Sequence, residues 1–467
     1  MLVQTLLAFL GLALGVVAAG HALLYKRKPQ SAFGWIALSL ALPYAGALLY
    51  YLFGINRVKT RARKLRSGRR REDSPQQSAV QPPRGLESLA RLGFTVTGLP
   101  LVGGNRIAPL HNGEQAYPAM LDAIRQASRQ VVLSSYIFDH DSVGERFAAT
   151  LGDAVARGVD VRVLLDGIGE LYSFPPVRRL LEQQGVRYAQ FLPPRLVPPT
   201  LQINLRNHRK ILIADDDIAF VGGMNIGERH LVETDDPARV VDMHFGCRGP
   251  IVAQIKSVFA DDWRFVTGES LPFPPFNPSS HAPTGDASCR AIADGPEAEL
   301  DRLAHLLIGA IGVAQQRLLI MTPYFVPPRE VMSALQVAAL RGIEVAVILP
   351  AQNNLPFVHR ATRHLLWELL QRGVRIYYQP PPFVHSRLLV VDGQYALVGS
   401  ANMDARSLRL NFELTVEVYD PAFANELAQH FETVRDRSRP ISLSEVDRRP
   451  LGTRLVDGVA WLFSPYL

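Results

Sequence analysis

The sequence His208-Arg209-Lys210-Ile211-Leu212-Ile213-Ala214-Asp215 decides the fold of this chain, because the same pattern returns later in it. The second stretch is His385-Ser386-Arg387-Leu388-Leu389-Val390-Val391-Asp392. Each stretch has a histidine, a cation two residues on, four apolar residues and an aspartate. Apolar β-formers predict a buried strand, in which side chains two residues apart point to the same face. We therefore expect each histidine to lie beside its cation on one face of a strand.

The segments that follow the two stretches also agree with each other. Each aspartate is predicted to end its strand at a turn, since two more aspartates follow in one case and a glycine in the other. A short strand is then expected at 219–221 and at 396–398, followed by Gly222-Gly223-Met224-Asn225 and Gly399-Ser400-Ala401-Asn402. A pair of hairpins with ordinary core histidines is the plain alternative. Two stretches that share Gly and Asn at the same offsets favour a functional pair.

Paired H-x-K-x4-D motifs, each followed by G-[GS]-x-N, resemble the signature of the phospholipase D superfamily. The sequences around them, Ile203–Lys210 and Asn402–Leu408, are similar to those of bacterial cardiolipin synthases, and the resemblance covers nearly the whole chain. It implies an α/β fold of duplicated phospholipase D-type lobes, each a mixed β-sheet flanked by helices. The active site is then expected at the pseudo-twofold interface, where both motifs face one cleft.

The order of predicted elements also repeats. In the first half, a helix at Tyr117–Gln130 precedes a strand at 131–135, and in the second a helix at Leu303–Gln316 precedes a strand at 318–322. Alternating helices and short apolar strands predict a duplicated α/β layer architecture. The predicted segments are a transmembrane hairpin (1–56), a basic juxtamembrane segment and linker (57–87), a first lobe (88–270), a connector (271–287) and a second lobe (288–467).

Two apolar stretches at the N-terminus predict the hairpin. Leu2–Tyr25 is long enough to cross a hydrocarbon layer of roughly 30 Å, and Ala32–Phe53 is a second span with aromatic residues near its ends. Pro43 is expected to kink the second span. A secretory signal peptide is the alternative for the first span. It fits poorly, because Met1–Gln4 carries no charged side chain and a second span follows.

A run of nine cations follows the hairpin, between Arg57 and Arg71. It outweighs the three cations of the loop at 26–28, so the positive-inside rule predicts that the catalytic domain lies on the cytosolic side. Together with the resemblance, this implies a multi-pass protein of the bacterial cytoplasmic (inner) membrane. The run is also suited to hold anionic headgroups near the surface, or it is a topology signal alone. No aromatic residue interleaves with it, which disfavours a nucleic-acid platform.

The two histidines can divide the work of breaking a phosphodiester without a metal. That reaction needs a nucleophile, an acid for the leaving alkoxide, and positive charge around the phosphate oxygens. One imidazole must begin neutral and the other protonated, so a bell-shaped pH profile is expected. The resemblance implies that His208 is the nucleophile and His385 the general acid and base. The residues alone leave the reverse assignment open.

Other candidate site residues surround this pair. The resemblance implies that Lys210 and Arg387 hold the phosphate oxygens, and that Asp215 and Asp392 complete the motifs by fixing loops and balancing charge. The remaining candidates for phosphate binding or support are Asn225, Ser400, Asn402 and Glu413.

The two halves of the pattern differ at two places. Arg387 stands where the motif expects lysine; its charge is retained and a guanidinium can grip phosphate with two parallel hydrogen bonds, but it is bulkier and planar. We expect an active enzyme with an altered rate or acceptor preference. Glu413 matches the family's downstream carboxylate and is expected to orient an imidazole. Its first-lobe counterpart is open between Asp242 and His244, which follow a longer insertion.

The resemblance implies a membrane phosphatidyltransferase that makes cardiolipin (diphosphatidylglycerol) and glycerol from two phosphatidylglycerol molecules through a phosphohistidine. Its partners are expected to be phosphatidylglycerol and other anionic membrane lipids. A membrane-bound phosphodiesterase of the same superfamily, using water or another alcohol as acceptor, is the alternative. A nuclease drawn to DNA by the net charge of +7 and a non-catalytic lipid-binding scaffold represent other classes. Two membrane spans count against the nuclease, and nucleic acid is not an expected partner.

The sequence indicates no cofactor and no metal. It contains neither a phosphate-binding Gly-x4-Gly-Lys loop nor a His-Glu-x2-His zinc motif. Cys247 and Cys289 lack metal-ligand spacing and imply no disulfide framework. The tail at 451–463 places apolar residues on one helical face, so it is expected either to dock on the catalytic body or to lie at the membrane surface.

Overall fold

The computed structural model describes residues 2–26, 29–55, 80–196, 199–200, 205–271, 283–295 and 301–464, with side chains left out at 195–200. The basic run at 57–71, and most of the predicted connector, lie outside these residues. The described chain forms two compact units. The first unit contains the N-terminal helices and a short ribbon at 195–200, and the second contains everything else.

The first unit is built from consecutive helices. They are α1 (Leu2–Tyr25), α2 (Pro29–Ala41), α3 (Pro43–Leu49) and a π-helical turn (Tyr50–Gly54). α1 is long and apolar enough to cross a membrane, and it is the one helix in the described residues that meets both criteria. Its 24 residues span about 36 Å.

The second apolar stretch is not one continuous helix. It breaks at Leu42, whose extended φ of −127° separates α2 from α3, because Pro43 has no N–H to continue the helical ladder. α1 packs back against these helices, with Ala18 and Ala22 around the ring of Tyr50. The kink expected at Pro43 is therefore a full interruption, and α2 and α3 are each too short to span a bilayer alone.

The strands of the chain are β1 (Val102–His111), β2 (Gln130–Ser135), β3 (Asp160–Asp166), β4 (Arg187–Phe191), β5 (Arg195–Leu196), β6 (Pro199–Thr200), β7 (Ile211–Ala214), β8 (Ile218–Gly222), β9 (Val240–Val241), β10 (Met243–Arg248), β11 (Ala287–Asp294), β12 (Arg317–Met321), β13 (Phe325–Val326), β14 (Glu344–Pro350), β15 (Arg375–Gln379), β16 (Phe383–Val384), β17 (Leu388–Val391), β18 (Tyr395–Gly399), β19 (Met403–Asp404), β20 (Glu413–Tyr419) and β21 (Arg439–Pro440). All but β5 and β6 belong to the second unit.

The helices of the second unit are α4 (Glu87–Thr97), α5 (Asn112–Gln126), α6 (Ser142–Ala156), α7 (Arg178–Gln183), α8 (Ile251–Thr267), α9 (Arg302–Val313), α10 (Arg329–Leu340), α11 (Pro356–Leu370), α12 (Pro421–Asp436), α13 (Leu443–Asp447) and α14 (Leu451–Leu462). Short 3-10 turns lie at Gly169–Tyr172 and Glu228–His230.

One 15-stranded sheet runs through the second unit, in the order β21-β15-β14-β12-β17-β18-β20-β11-β1-β10-β8-β7-β2-β3-β4. Apart from β21, which adds a fifteenth strand at one edge, the series β4-β3-β2-β7-β8-β10-β1 and β15-β14-β12-β17-β18-β20-β11 have the same arrangement when each is read toward the middle of the sheet. In each series the first three strands are parallel and the following pairs antiparallel, and β21 pairs antiparallel with β15. The halves join where β1 pairs with β11, so the duplicated α/β fold is confirmed.

Helices cover each half of the sheet and close a separate apolar core. In the first lobe, Leu133 and Val163 of the sheet pack with Phe147 of α6. In the second lobe, Ile320 and Val347 pack with helices α9, α10 and α11. These strands are apolar on both faces, as expected of parallel strands that helices cover.

The histidines of the two motifs lie just before their strands, not on them. β7 and β17 each begin one residue after the cation of the motif, so the expectation that histidine and cation lie on one strand face is wrong. The reason is an exchange of backbone hydrogen bonds between lobes. The amide of His208 donates to Phe412 O at 2.9 Å, and that of His385 donates to Val241 O at 2.7 Å.

Candidate active site

His208 is held by a carboxylate from the other lobe. Its Nδ1 lies 3.1 Å from each carboxylate oxygen of Glu413, the first residue of β20. Glu413 is fully buried and also accepts a hydrogen bond of 2.5 Å from Ser400 Oγ. This contact places a proton on Nδ1 and leaves the lone pair on Nε2. Within the described residues, no side chain forms a hydrogen bond with Nε2 of His208.

His385 has the matching arrangement with the lobes exchanged. Its Nδ1 lies 2.8 Å from Oδ2 of Asp242, which directly precedes β10. Oδ1 of Asp242 accepts a hydrogen bond of 2.7 Å from the amide of Met243. The backbone of Asp242 is fixed by two bonds to Asn112, of 2.9 and 3.0 Å. The choice between Asp242 and His244 is thus settled by contact, since Asp242 is the residue at the imidazole.

Two short parallel bridges explain this exchange of carboxylates. Asn207 pairs with Phe412, and Val384 pairs with Val241. In each bridge the residue before a motif histidine lies beside the residue before the opposite lobe's carboxylate. Each histidine is thereby aligned with its carboxylate, so neither lobe contains a complete histidine–carboxylate pair of its own.

The two motif cations contact their histidines differently. Lys210 is buried, and its Nζ donates to the backbone oxygen of His208 at 2.8 Å. Arg387 instead reaches the imidazole, with Nη2 2.7 Å from Nε2 of His385. It also donates from Nη1 to His385 O at 2.8 Å and from Nε to Asn402 Oδ1 at 2.5 Å. Arg387 Nη1 also lies 3.2 Å from Nδ1 of His385, but the closer contact of Nδ1, at 2.8 Å, is to the carboxylate of Asp242, which can only accept. Nδ1 therefore carries the proton, and Nε2 accepts from the guanidinium, which can only donate.

Burial dominates the protonation of both imidazoles. It lowers the pKa of His208 to about 4, with Glu413 opposing the decrease and Lys210 adding to it. Burial also lowers the pKa of His385 well below its ordinary value, and Arg387, Lys210 and His208 lower it further. Both rings are therefore neutral near pH 7 before an anion binds. The influence of His208 on His385 places the two rings in one electrostatic site.

The two carboxylates differ in their pKa values. Burial raises the pKa of Asp242, although Arg387 opposes the increase. Burial acts in the same direction on Glu413, but His208, Lys210 and Ser400 outweigh it and hold the pKa of Glu413 below its ordinary value. Glu413 is therefore the more firmly ionised of the two.

The polar residues after each motif support the site in different ways. Asn225 Oδ1 accepts a hydrogen bond of 3.2 Å from the amide of Ile137. The NH2 group of Asn225 is therefore the part of its side chain that can donate to a phosphate oxygen. Asn402 uses both ends of its amide, on Arg387 and on Ser407 Oγ at 3.2 Å. Ser400 Oγ is committed to Glu413. Ser400 and Asn402 thus bond to Glu413 and Arg387, the two residues that contact the imidazoles.

The motif aspartates lie at the turns after β7 and β17. Asp215 accepts hydrogen bonds from three consecutive amides at 128–130, of 2.6 to 2.8 Å, and Asp392 does so from three amides at 315–317, of 2.8 to 2.9 Å. The last amide of each set belongs to the first residue of β2 or β12. Each aspartate therefore fixes the start of a neighbouring strand and does not contact its own histidine.

An aromatic ring lies beside each imidazole. The ring centroids of Tyr136 and His208 are 5.1 Å apart, and those of Tyr324 and His385 are 6.1 Å apart. Lys210 Nζ lies 5.3 Å from the centroid of Tyr136. A tyrosine shortly after β2 and after β12 is visible in the sequence as a repeated position, although nothing in the sequence assigns it to the site.

Comparison with known proteins supports one family. Residues 120–263 and 307–435 match the family described as cardiolipin synthase, PLD-like domain, and residues 13–54 match the phospholipase D-nuclease N-terminal family. A cardiolipin synthase from Geobacillus thermodenitrificans is 33% identical over 95% of this chain and 90% of its own length. Cardiolipin synthase A from Pseudomonas aeruginosa is 34% identical over 97% of this chain and 94% of its own length.

A solved structure supports the fold. The crystal structure of phosphatidylserine synthase from Haemophilus influenzae has a TM-score of 0.64 and 15% sequence identity, and covers 81% of this chain and all of the other. This likeness carries the architecture alone, whereas the sequence relatives extend over nearly the full length. The chain belongs to the cardiolipin synthase family of the phospholipase D superfamily.

Proposed function

We propose that this protein moves a phosphatidyl group from one phosphatidylglycerol molecule to a glycerol hydroxyl of a second, making cardiolipin and releasing glycerol. Its near-full-length relatives support the reaction. The structural observation that carries the mechanism is the pair of carboxylate-held imidazoles beside two buried cations. One phosphodiester replaces another, so no activated donor is needed. The protein is thus an enzyme of phospholipid biosynthesis.

In the first half-reaction, Nε2 of His208 attacks phosphorus and the bond to the leaving glycerol oxygen breaks. Protonated His385 gives its proton to that oxygen, and the phosphatidyl group remains on His208 as a phosphohistidine. The contacts favour this division of roles. Nε2 of His208 keeps its lone pair exposed to substrate, whereas Arg387 occupies Nε2 of His385.

In the second half-reaction, neutral His385 takes the proton of a hydroxyl on the second phosphatidylglycerol. The oxygen of that hydroxyl bonds to phosphorus as the phosphorus–nitrogen bond to His208 breaks. Cardiolipin leaves, His208 is neutral again, and His385 holds the proton for the next cycle. Water must be kept from this step, since it would give phosphatidic acid.

His385 must acquire a proton although its pKa is low before substrate binds. The phosphodiester brings a negative charge, and Arg387 has to turn from the imidazole toward a phosphate oxygen. The added negative charge and the turning away of Arg387 both raise the pKa of His385, because they weaken the effect of the nearby cations that lowers it. The effect of burial remains. Substrate binding is therefore coupled to proton uptake.

The two cations and Asn225 are the groups placed to bind the phosphate oxygens in this scheme. Arg387 is suited to a two-pronged contact and Lys210 to a point contact. Ser400 and Asn402 are positioning residues, because they act through Glu413 and Arg387.

We also propose that the protein crosses the bacterial cytoplasmic membrane twice, with its catalytic unit in the cytosol. The length and apolarity of α1 support an anchor, and the cations of 57–71 support the orientation through the positive-inside rule. Thiol labelling tests the orientation, since Cys247 and Cys289 are buried. A cysteine at exposed Ser444 should react with an impermeant maleimide in inside-out vesicles only; reaction in intact spheroplasts would reverse the topology.

The reaction is tested with purified full-length protein and phosphatidylglycerol labelled in the headgroup glycerol and in an acyl chain. We expect cardiolipin and free glycerol in equal amounts; phosphatidic acid as the main product would identify a hydrolase. His208→Ala and His385→Ala should each lower the rate at least about 10³-fold. His430→Ala, in α12 outside the site, is the matched control and should keep the rate.

A further inference from the structure

The loop after β3 carries exposed apolar side chains close to the site. Leu171, Tyr172 and Phe174 are 68%, 62% and 92% exposed. The ring of Tyr172 lies 6.3 Å from that of Tyr136, the tyrosine that contacts His208. The loop is thus connected to the imidazole of His208 through the ring of Tyr136.

This exposure is imposed by the fold. Glu170, inside the loop, is buried and forms an ion pair of 2.9 Å with Arg178. The amide of His140 donates to Ser173 Oγ at 2.7 Å, and its Nδ1 lies 3.0 Å from Pro175 O. The polar members of the loop therefore anchor it, and the apolar members between them are held outward.

The equivalent loop of the second lobe, after β14, has the same character. Leu355, the last residue of the loop, and Phe357, in the first turn of α11, are 45% and 42% exposed. Asn354 Oδ1 accepts a hydrogen bond of 2.8 Å from the hydroxyl of Tyr324, the tyrosine beside His385. The amide of Leu355 donates to Asn353 Oδ1 at 2.8 Å, which fixes the loop.

The two loops face one cleft. β3 and β14 occupy equivalent places in the sheet, so the loops leave equivalent strand ends. Tyr172 of the first loop reaches His208 through Tyr136, and Asn354 of the second loop reaches His385 through Tyr324. Each of these imidazoles contacts a carboxylate of the opposite lobe, so the loops border one site. Apolar side chains therefore stand on both sides of the entrance to the histidines.

The apolar surface formed by Leu355 and Phe357 continues onto the C-terminal segment. Phe463 lies 5.6 Å, centroid to centroid, from Phe357. α14 docks on α11 through buried Asp457, which forms ion pairs with Arg363 and Arg449 of 2.6 and 2.5 Å. Its opposite face exposes Leu451, Leu455, Val459 and Leu462. The tail therefore docks on the body and also presents an apolar face outward.

We propose that these two surfaces enter the acyl-chain layer of a phospholipid bilayer. The first-lobe rim is Leu171, Tyr172 and Phe174, and the second-lobe rim is Leu355, Phe357 and Phe463. The inference rests on the proposed function, which needs two lipids whose phosphate and hydroxyl meet in a polar cleft while their acyl chains stay in apolar surroundings. One apolar rim for each lipid satisfies that need. Burial of such side chains in hydrocarbon is favourable, because it removes apolar surface from water.

Paired variants separate membrane contact from chemistry. Leu171→Ser/Phe174→Ser and Leu355→Ser/Phe357→Ser are compared with Val337→Ser/Leu340→Ser, an exposed apolar pair on α10. With phosphatidylglycerol in vesicles, we expect kcat/KM to fall about tenfold or more in each rim variant and to be unchanged in the control. With a short-chain phosphatidylglycerol dissolved as monomers, all three should stay within about twofold of wild type. Equal losses on both substrates, or none on vesicles, would overturn the proposal.

A readout without catalysis distinguishes this proposal from the proposed function. Phe174→Cys and Val337→Cys are labelled with a fluorescent maleimide and reconstituted in phosphatidylglycerol vesicles that contain acyl-chain nitroxide lipids. Quenching at position 174 and none at 337 is expected, even if the protein made no cardiolipin. An active protein without quenching at 174 would reject the membrane contact. Light scattering in detergent tests the alternative that a second copy of the chain covers these side chains. A wild-type dimer that dissociates in a rim variant would assign the surface to that second copy and overturn the proposal.

Discussion

The two halves of the active site share a backbone plan but hold their imidazoles differently. In the first-lobe half, His208 contacts Glu413 through Nδ1 and Lys210 touches only its backbone oxygen. In the second-lobe half, Arg387 closes on Nε2 of His385. The two copies of the motif therefore differ in their chemistry. Nε2 of His208 keeps a lone pair that can attack substrate, whereas Nε2 of His385 already accepts a hydrogen bond from Arg387.

The position after the first glycine makes the same point. A side chain at Gly223 would collide with the guanidinium of Arg387 and the carboxylate of Asp242. The equivalent residue of the second lobe is Ser400, whose hydroxyl bonds to Glu413. One half of the site thus needs empty space at this position, and the other needs a hydrogen-bond donor there.

The largest effect should come from removing each histidine in turn with a donor whose leaving group needs no proton, such as a nitrophenyl phosphodiester lipid. His385→Ala should still form a phosphoenzyme, because His208 remains to attack. His208→Ala should form none and lose at least about 10⁴-fold in rate. Trapping with a phosphorus-labelled donor measures this. Label on His208→Ala and none on His385→Ala would reverse the assignment.

The next effect concerns the exchanged carboxylates. Glu413→Gln and Asp242→Asn should each lower kcat by on the order of 10²- to 10⁴-fold, since the amide no longer fixes the Nδ1 proton. Glu413 raises the pKa of His208, so its removal should move the acid limb of kcat/KM to lower pH than in the wild type. A pH series on a monomeric substrate measures the shift. An acid limb that moved to higher pH would contradict the assignment of Glu413 to His208.

Exchange of the cations should have a smaller effect. Arg387→Lys and Lys210→Arg retain charge and should stay within about tenfold of wild type, whereas Arg387→Gln should lose about 10²-fold or more. Arg387 lowers the pKa of His385, so Arg387→Gln should also move the alkaline limb to higher pH. Steady-state rates from pH 5 to 9 test this. An inactive parent enzyme that Arg387→Lys rescued would show that the guanidinium blocks the site.

The smallest effect is expected from the motif aspartates, whose hydrogen bonds are mainly to backbone amides outside the catalytic pair, with one more from the Ser128 hydroxyl to Asp215. Asp215→Asn and Asp392→Asn each weaken three hydrogen bonds to amides and should cost about 1–3 kcal/mol in free energy of unfolding. The bonds also hold the pKa of Asp215 below its ordinary value despite burial, so its contribution is present at neutral pH and is lost as the pH falls through that lowered pKa. Thermal melts in detergent measure it. A rate per folded molecule that fell as far as in Arg387→Gln would give the aspartates a catalytic role.

The duplicated architecture was predictable because each motif sits in a local pattern of strand, turn and strand that recurs. The pairing of the site across the lobes was not. His208 and Glu413 are 205 residues apart and His385 and Asp242 are 143 apart, and no spacing rule connects them. Their contact depends on backbone bridges between lobes. For the same reason the strands begin later than the motif predicts, after Lys210 and Arg387.

Residue type was also a poor guide to the second layer of the site. Ser400 and Asn402 are both suitable phosphate donors by chemistry, yet their hydrogen-bonding groups are used on Glu413 and Arg387. Which neighbour takes the bond depends on contacts between residues that are distant in the sequence. In the N-terminal unit, hydropathy predicted a kinked span, and the missing N–H of Pro43 divides it completely.

The exchange of carboxylates has an evolutionary consequence. An ancestor with one such domain would have assembled the same centre as a homodimer, in which every mutation is expressed on both sides. Once a gene duplication placed the halves on one polypeptide, each codon could change alone. A homodimer must carry lysine twice or arginine twice at the motif cation; this chain carries one of each.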